Sequence, residues 1–194
     1  IVPDSWQVVL YSDKPLQGVL AELPVNWTEK VLNWPPRRLW THIRLSTEMV
    51  QCPPDVLFIP AHVPPLIHPA KTVMTVHDVA ALHFPETYSP FERWYSLASA
   101  KYAGKNLPAV IVPSQAVKAD LLALCQREEN QAIKVIPHGV NPYFLNAAAP
   151  LQSEKYILSV GRLEEKKNTA RLIVAFDKAV ENGLESNLFL VGKP

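Results

Sequence analysis

Glycine is scarce in this chain: six residues in 194, against nineteen prolines. Average usage runs the other way, at about 7% glycine and 5% proline. The balance implies rigid, sharply ended elements and leaves little room for phosphate-cradling glycine loops. Neither G-x-G-x-x-G nor G-x-x-x-x-G-K-[ST] occurs, which excludes the dinucleotide fingerprint and the P-loop. No G-x-S-x-G elbow supports a hydrolase triad. Cysteine is limited to Cys52 and Cys125, with no C-x-x-C pair, so no disulfide framework exists. Each reads as a small hydrophobe in a reducing cytosol, and Cys125, inside a helical pattern, is no nucleophile. Nineteen Lys and Arg against eighteen Asp and Glu give a net charge of +1, without the basic excess of a nucleic-acid binder. No apolar run reaches the roughly 20 residues that a spanning helix needs. The spacings of His62, His68, His77 and His83 match no ligand pattern such as H-E-x-x-H, so no metal site is expected. The chain opens Ile1-Val2-Pro3 without an initiator Met or a signal-peptide pattern, and its natural start is expected upstream.

What is present is 48% apolar and only 19% charged, enough for a sizeable core. Short β-branched runs at 7–11, 55–59, 72–76, 109–112, 134–136, 156–160 and 187–191 read as strands. Most are continuously apolar, as in a parallel sheet covered by helices on both faces. The expected fold is therefore α/β and Rossmann-like. Helix signals lie between the runs. Ser89-Pro90-Phe91-Glu92 is a capping box with Pro at the first helical position, followed by Phe91, Trp94, Tyr95, Ala98 and Tyr102 at helical spacing, with Gly104 as the terminator. Ser114 caps a helix with Val117, Leu121 and Leu124 inward. Asn168 or Thr169 opens another with Leu172, Ile173, Phe176 and Val180 inward, ending at Gly183. A further helix over 39–50 would turn Leu39, Ile43 and Val50 to one face.

The best domain break is 141–155, which has two prolines and no β pattern. The expected division is a first domain over 1–145, a linker over 146–155, and a strand–helix–strand piece over 156–194. Two parallel strands and one helix cannot cover both sheet faces, so that piece reads as the opening of a larger domain.

Three strand-end loops can carry chemistry, since ligands of open α/β sheets bind beyond the carboxyl ends of strands. In Ser159-Val160-Gly161-Arg162-Leu163-Glu164-Glu165-Lys166-Lys167-Asn168, Gly161 permits close backbone approach, while Arg162 and Lys167 flank a helix N-terminus. Two cations there suit a diphosphate leaving group. The plainer reading is a charged loop in which Glu164 and Glu165 offset the cations. In Thr72-Val73-Met74-Thr75-Val76-His77-Asp78, the His and the carboxylate suit sugar hydroxyls or proton transfer, or else serve the backbone as caps. Ile136-Pro137-His138-Gly139 is the third, with Gly139 expected at positive φ, and reads equally as a turn into the linker. Trp27, Trp34, Pro35, Pro36, Arg37, Arg38 and Trp40 combine aromatic and basic character, suiting a membrane interface or the flank of an acceptor. Alternatively, the Trp pack on the sheet and the Arg pair is solvated.

Taken in order, these segments resemble the retaining nucleotide-sugar glycosyltransferases of family 4, which have the GT-B fold. Val76-His77-Asp78 with His83-Phe84-Pro85-Glu86, then Val112-Pro113-Ser114 opening a helix with Lys118, Asp120 and Leu121, looks like their acceptor-side domain. Val135-Ile136-Pro137-His138-Gly139-Val140 looks like the segment before their hinge. Gly161-Arg162-Leu163 with Lys167-Asn168 looks like the first turn of their donor domain. The resemblance implies transfer of a mannose- or glucose-like hexosyl group from a nucleoside diphosphate sugar to a glycan or lipid-linked saccharide, as in polysaccharide biosynthesis. It implies no metal or cofactor, a cytoplasmic place with peripheral membrane contact as an option, and no nucleic-acid partner. By position, Arg162 and Lys167 are similar to the basic pair holding the donor diphosphate, and His77 to a histidine near the transferred sugar. Those three are the implied catalytic residues. Gly161, His138 and Gly139 join the basic pair on the donor side, and Asp78, His83 and Ser114 fall on the acceptor side. The family's first strand, glycine-rich loop and donor-side glutamate pair find no counterpart, so the chain is expected to be a fragment that does not turn over alone. Rivals are another GT-B enzyme such as a nucleotide-sugar epimerase, which needs no acceptor, and a non-catalytic sugar- or protein-binding module.

Overall fold

Among the described residues, every strand pairing is parallel. The computed structural model describes residues 2–34, 39–60, 63–145, 155–164 and 167–193. Among these, β1 (Val8–Ser12) pairs with β2 (Trp27–Val31). Next, β3 (Leu57–Ile59), β4 (Thr72–Thr75), β5 (Ala109–Val112) and β6 (Ile133–Val135) form a four-stranded sheet in that order. Last, β7 (Tyr156–Val160) pairs with β8 (Asn187–Val191) in register Tyr156↔Asn187. The helices are a π-helical turn Trp40–Leu45 running into α1 (Ser46–Gln51), then α2 (Ala80–His83), α3 (Pro90–Asn106), α4 (Gln115–Cys125), α5 (Pro142–Leu145) and α6 (Thr169–Glu181). The expected α/β class is what the chain adopts, parallel sheets flanked by helices. Two compact units result: Ile1–Val79 with Glu92–Pro137, and Ala80–Phe91 with His138–Pro194.

The core belongs to the first unit. Met74, Val110, Val112 and Ile133 are buried on the strands and Val76 just past β4, Ala100, Ala103, Leu121 and Cys125 on the helices, and Leu32, Leu45 and Met49 join the same cluster. Helix α4 is defined at both ends. The Ser114 hydroxyl accepts from the Val117 N–H at 3.3 Å, as expected of a cap. At the other end Arg127 N donates to Leu122 O and Gln126 N to Ala123 O, a Schellman closure that places Gln126 in the left-handed region at φ 56°. Helix α6 closes likewise through Leu184 N to Ala179 O and Gly183 N to Val180 O, with Gly183 at φ 92°.

Four expectations are corrected. First, Gly104 does not end α3, which continues to Asn106. A Cβ on Gly104 would lie 2.6 Å from Cys125 Sγ and 3.4 Å from Leu121, so the glycine lets α3 and α4 approach closely. Second, the aromatic series on α3 is not its buried face. Ser99, Ala100, Ala103 and Gly104 are buried there, whereas Phe91 and Trp94 are exposed. Tyr95 and Tyr102 instead act as polar anchors, at 2.7 Å from His42 Nε2 and 2.8 Å from His68 Nε2. His68 Nδ1 lies 3.0 Å from Pro69 O, and a carbonyl only accepts, so Nδ1 carries the proton and Nε2 accepts from Tyr102. Third, over 40–51 the buried residues are Leu45, Ser46, Glu48 and Met49, while Leu39, Ile43 and Val50 are exposed. Glu48 can be buried because Lys30 Nζ and Arg44 Nη1 donate to its two oxygens. That hydrogen bond is the main cause holding the Lys30 ammonium above the ordinary lysine range. Fourth, Cys52 is exposed rather than packed.

β2 escaped the pattern reading because Trp-Thr-Glu-Lys-Val carries two charges. Both have fixed partners: Glu29 accepts from Ser12 Oγ and Leu16 N, each at 2.8 Å, and Lys30 reaches Glu48.

Candidate functional site

Parallel strands end with their carbonyls and the following loops at one edge, and that edge is where the first unit gathers its candidate residues. Val76 N donates to Ile111 O and Ile136 N to Val112 O, continuing the ladder just past β4 and β6. His77 and Asp78 follow from β4, and Ser114 follows from its neighbour β5, so these three share the carboxyl edge of adjacent strands. His77 Nε2 lies 2.7 Å from Pro60 O. Since the carbonyl can only accept, Nε2 is the donor in this contact. Ser114 is committed to the cap of α4.

The second unit carries the rest. His83 is the last residue of α2, and His138 and Gly139 lie in the segment leading to α5. Gly139 is not at positive φ, contrary to expectation; among the described glycines that conformation belongs to Gly18 and Gly183. The turn after β7 is closely stitched: Glu164 N donates to Arg162 O and Lys167 N to Glu164 O, both at 2.9 Å. Arg162 Nε makes an ion pair with Glu164 Oε1 at 2.7 Å, the guanidinium being 73% exposed and the carboxylate 22%. Lys167 is exposed and precedes Asn168, whose φ of 55° turns the chain into α6. Glu165 and Lys166 lie outside the described residues, as do Pro35–Arg38 and His62.

The close backbone contact within this turn involves Gly192. Gly161 N donates to Val191 O and Leu163 N to Lys193 O, so the turn after β7 lies alongside the chain leaving β8. A Cβ on Gly161 would meet nothing, whereas one on Gly192 would sit 1.7 Å from the Gly161 carbonyl oxygen and 2.7 Å from its carbon. Gly192 was missed because its partner becomes visible only once β7 and β8 are paired.

Trp40 packs against the core and donates from Nε1 to Leu32 O at 2.6 Å, and Trp27 is half-buried on β2. Among the described residues no three His, Cys, Asp or Glu side chains converge on a common point, and no helix is long and apolar enough to cross a membrane.

His77, Asp78, Ser114, His138 and Arg162 all lie just beyond the carboxyl ends of parallel strands, within a parallel α/β architecture. The sequence profile of Glycosyltransferase Family 4 matches residues 6–144, well over half of the chain, and the chain belongs to that family. It is thus a glycosyltransferase domain. No curated protein matches it.

Proposed function

We propose that the chain serves retaining transfer of a mannose- or glucose-like hexosyl group from a nucleoside diphosphate sugar to a glycan or lipid-linked saccharide, on a GT-B framework. Residues 1–145 act on the acceptor side, 146–155 link, and 156–194 contribute to the donor side. The observation that carries this reading is positional: His77, Asp78, Ser114, His138, Gly139, Gly161 and Arg162 all follow the carboxyl end of a parallel strand. In the reaction the bond from the anomeric carbon to the diphosphate oxygen breaks, and one to the acceptor hydroxyl oxygen forms. The hydroxyl proton goes to the departing phosphate oxygen. Arg162 and Lys167, beside the N-terminus of α6, offset the charge that develops on that diphosphate. They take the place of a metal ion and no cofactor takes part. Arg162 exchanges Glu164 for the phosphate, a swap between two anionic partners that exposure makes inexpensive. His77 orients the sugar, and Asp78, His83 and Ser114 serve the acceptor. The setting is cytoplasmic, with contact at the membrane surface where the acceptor is lipid-linked, and nucleic acid is no partner.

Replacing both Arg162 and Lys167 by Ala in the intact protein should lower transfer about 10²–10³-fold, the cost of removing fixed donors from a leaving group. Near-normal rates in the double variant would overturn the assignment. Product formed without acceptor would favour an epimerase, and failure to bind any nucleoside diphosphate would favour a binding module.

A further inference from the structure

Parallel β7 and β8 run in a fixed register that sets Val160 opposite Val191. The ladder continues past both strands, with Gly161 N donating to Val191 O at 2.9 Å and Leu163 N to Lys193 O at 3.0 Å. Carried two residues beyond Val160, the same register sets Arg162 opposite Lys193. Residues opposite each other in a ladder project to one face, so two cations stand side by side at this carboxyl edge. Like charges in that arrangement cost stability. Gly192 lets the two chains come this close, since a Cβ there would meet the Gly161 carbonyl.

The two charges are answered unequally. Arg162 has Glu164 at 2.7 Å, whereas Lys193 is exposed and has no ion pair among the described residues. In sequence, the stretch 161–168 sets Arg162, Lys166 and Lys167 against Glu164 and Glu165, a balance of +1. Lys193 arrives from the other strand and raises it to +2. An anion seated between Arg162 and Lys193 turns their repulsion into two charge-assisted contacts. The guanidinium fork takes paired oxygens of one phosphoryl group, and the ammonium, a point charge on a flexible stem, reaches the next. Two linked phosphoryl groups fit such a pair better than one.

We propose that Lys193 is a further donor-side residue, forming with Arg162 a cross-strand clamp on the diphosphate. The proposal rests on the donor reading of the Arg162 turn. Titration calorimetry on the intact protein tests it, with inorganic pyrophosphate, UDP and GDP as diphosphates and orthophosphate as the single phosphate. Lys193→Ala should weaken the three diphosphates about tenfold, the loss of one charge-assisted contact, and orthophosphate less. Lys193→Arg keeps the charge and should stay within about threefold of the parent. Lys193→Glu should lose more than Lys193→Ala, and added salt should narrow the gap between Lys193→Ala and the parent. Residue 193 is exposed, so thermal midpoints should match throughout. A residue that merely shaped the turn would not follow this order of charge. Unchanged diphosphate affinity in both the Ala and Glu variants would overturn the clamp and leave the donor reading standing. Equal losses in the Arg and Ala variants would overturn it too, because charge would not be the cause. If the parent protein bound none of the three diphosphates, the donor reading would fall and the clamp with it. Charge-ordered pyrophosphate binding without transfer from any nucleotide sugar would keep the clamp and defeat the transferase reading.

Discussion

The four-stranded sheet β3–β6 and the pair β7–β8 are built from the same kind of sequence, yet they end in different physical states. Val110 and Val112 on β5 are fully buried, whereas Leu158 and Val160 on β7, and Phe189 and Val191 on β8, each keep about half or more of their surface. Helix α6 has no buried residue despite a clear apolar stripe, while α4 buries Leu121 and Cys125. The residue types do not explain this. The number of layers does: strands with neighbours on both sides and helices above them exclude water, and two strands with one helix cannot. An apolar run therefore encodes a strand, but its stabilisation depends on what later covers it.

That contrast can be broken directly. Met74→Ala in β4 removes a fully buried side chain and should cost about 2–5 kcal/mol in denaturant titration. Phe189→Ala in β8, where the ring is half exposed and meets Tyr156 edge-on, should cost about 1 kcal/mol or less. Equal losses at the two sites would erase the distinction.

The α3–α4 contact should respond next. Gly104→Ala drives a methyl group into Cys125 Sγ, and overpacking of this kind costs about 1–3 kcal/mol. Cys125→Ala in the same background should recover part of the loss, because the clashing atom is gone.

A smaller effect of opposite sign is expected at Gln126, which holds a left-handed conformation that L side chains disfavour. Gln126→Gly should raise stability by about 1 kcal/mol, seen as a higher denaturation midpoint at unchanged slope.

The mildest test uses the two thiols. Burial holds Cys125 above the ordinary thiol range, while Cys52 is exposed. A thiol reagent should titrate Cys52 quickly and Cys125 only on unfolding. The sign for stability follows: below the unfolded thiol's pKa both states are protonated and the contribution is complete. As pH rises from there towards the raised folded value, the unfolded chain ionises first and stability declines. Cys125→Ser should flatten that decline.

Much of this fold is legible in the chain. The runs at 109–112, 156–160 and 187–191 became strands with the same bounds, since β-branched runs between Pro, Asn and charged residues have few alternatives. The unread parts depend on distant partners. β2 hides behind Glu29 and Lys30, whose charges are answered by Ser12 and by Glu48, 17 and 18 residues away. Glu48 likewise reverses the apparent inward face of 40–51. Of the site, the strand-end positions were readable because they need only a strand and its direction. The Gly192 contact was not, because it joins two loops that meet only after β7 and β8 align.

Gly192 also has a consequence at the level of the gene. Any single-nucleotide change that replaces a glycine codon with another amino acid introduces a side chain, and at this position even the smallest would collide with the Gly161 carbonyl. The backbone of the Arg162 turn is thus held in shape by a codon that admits no missense neighbour, at a residue with no chemistry of its own.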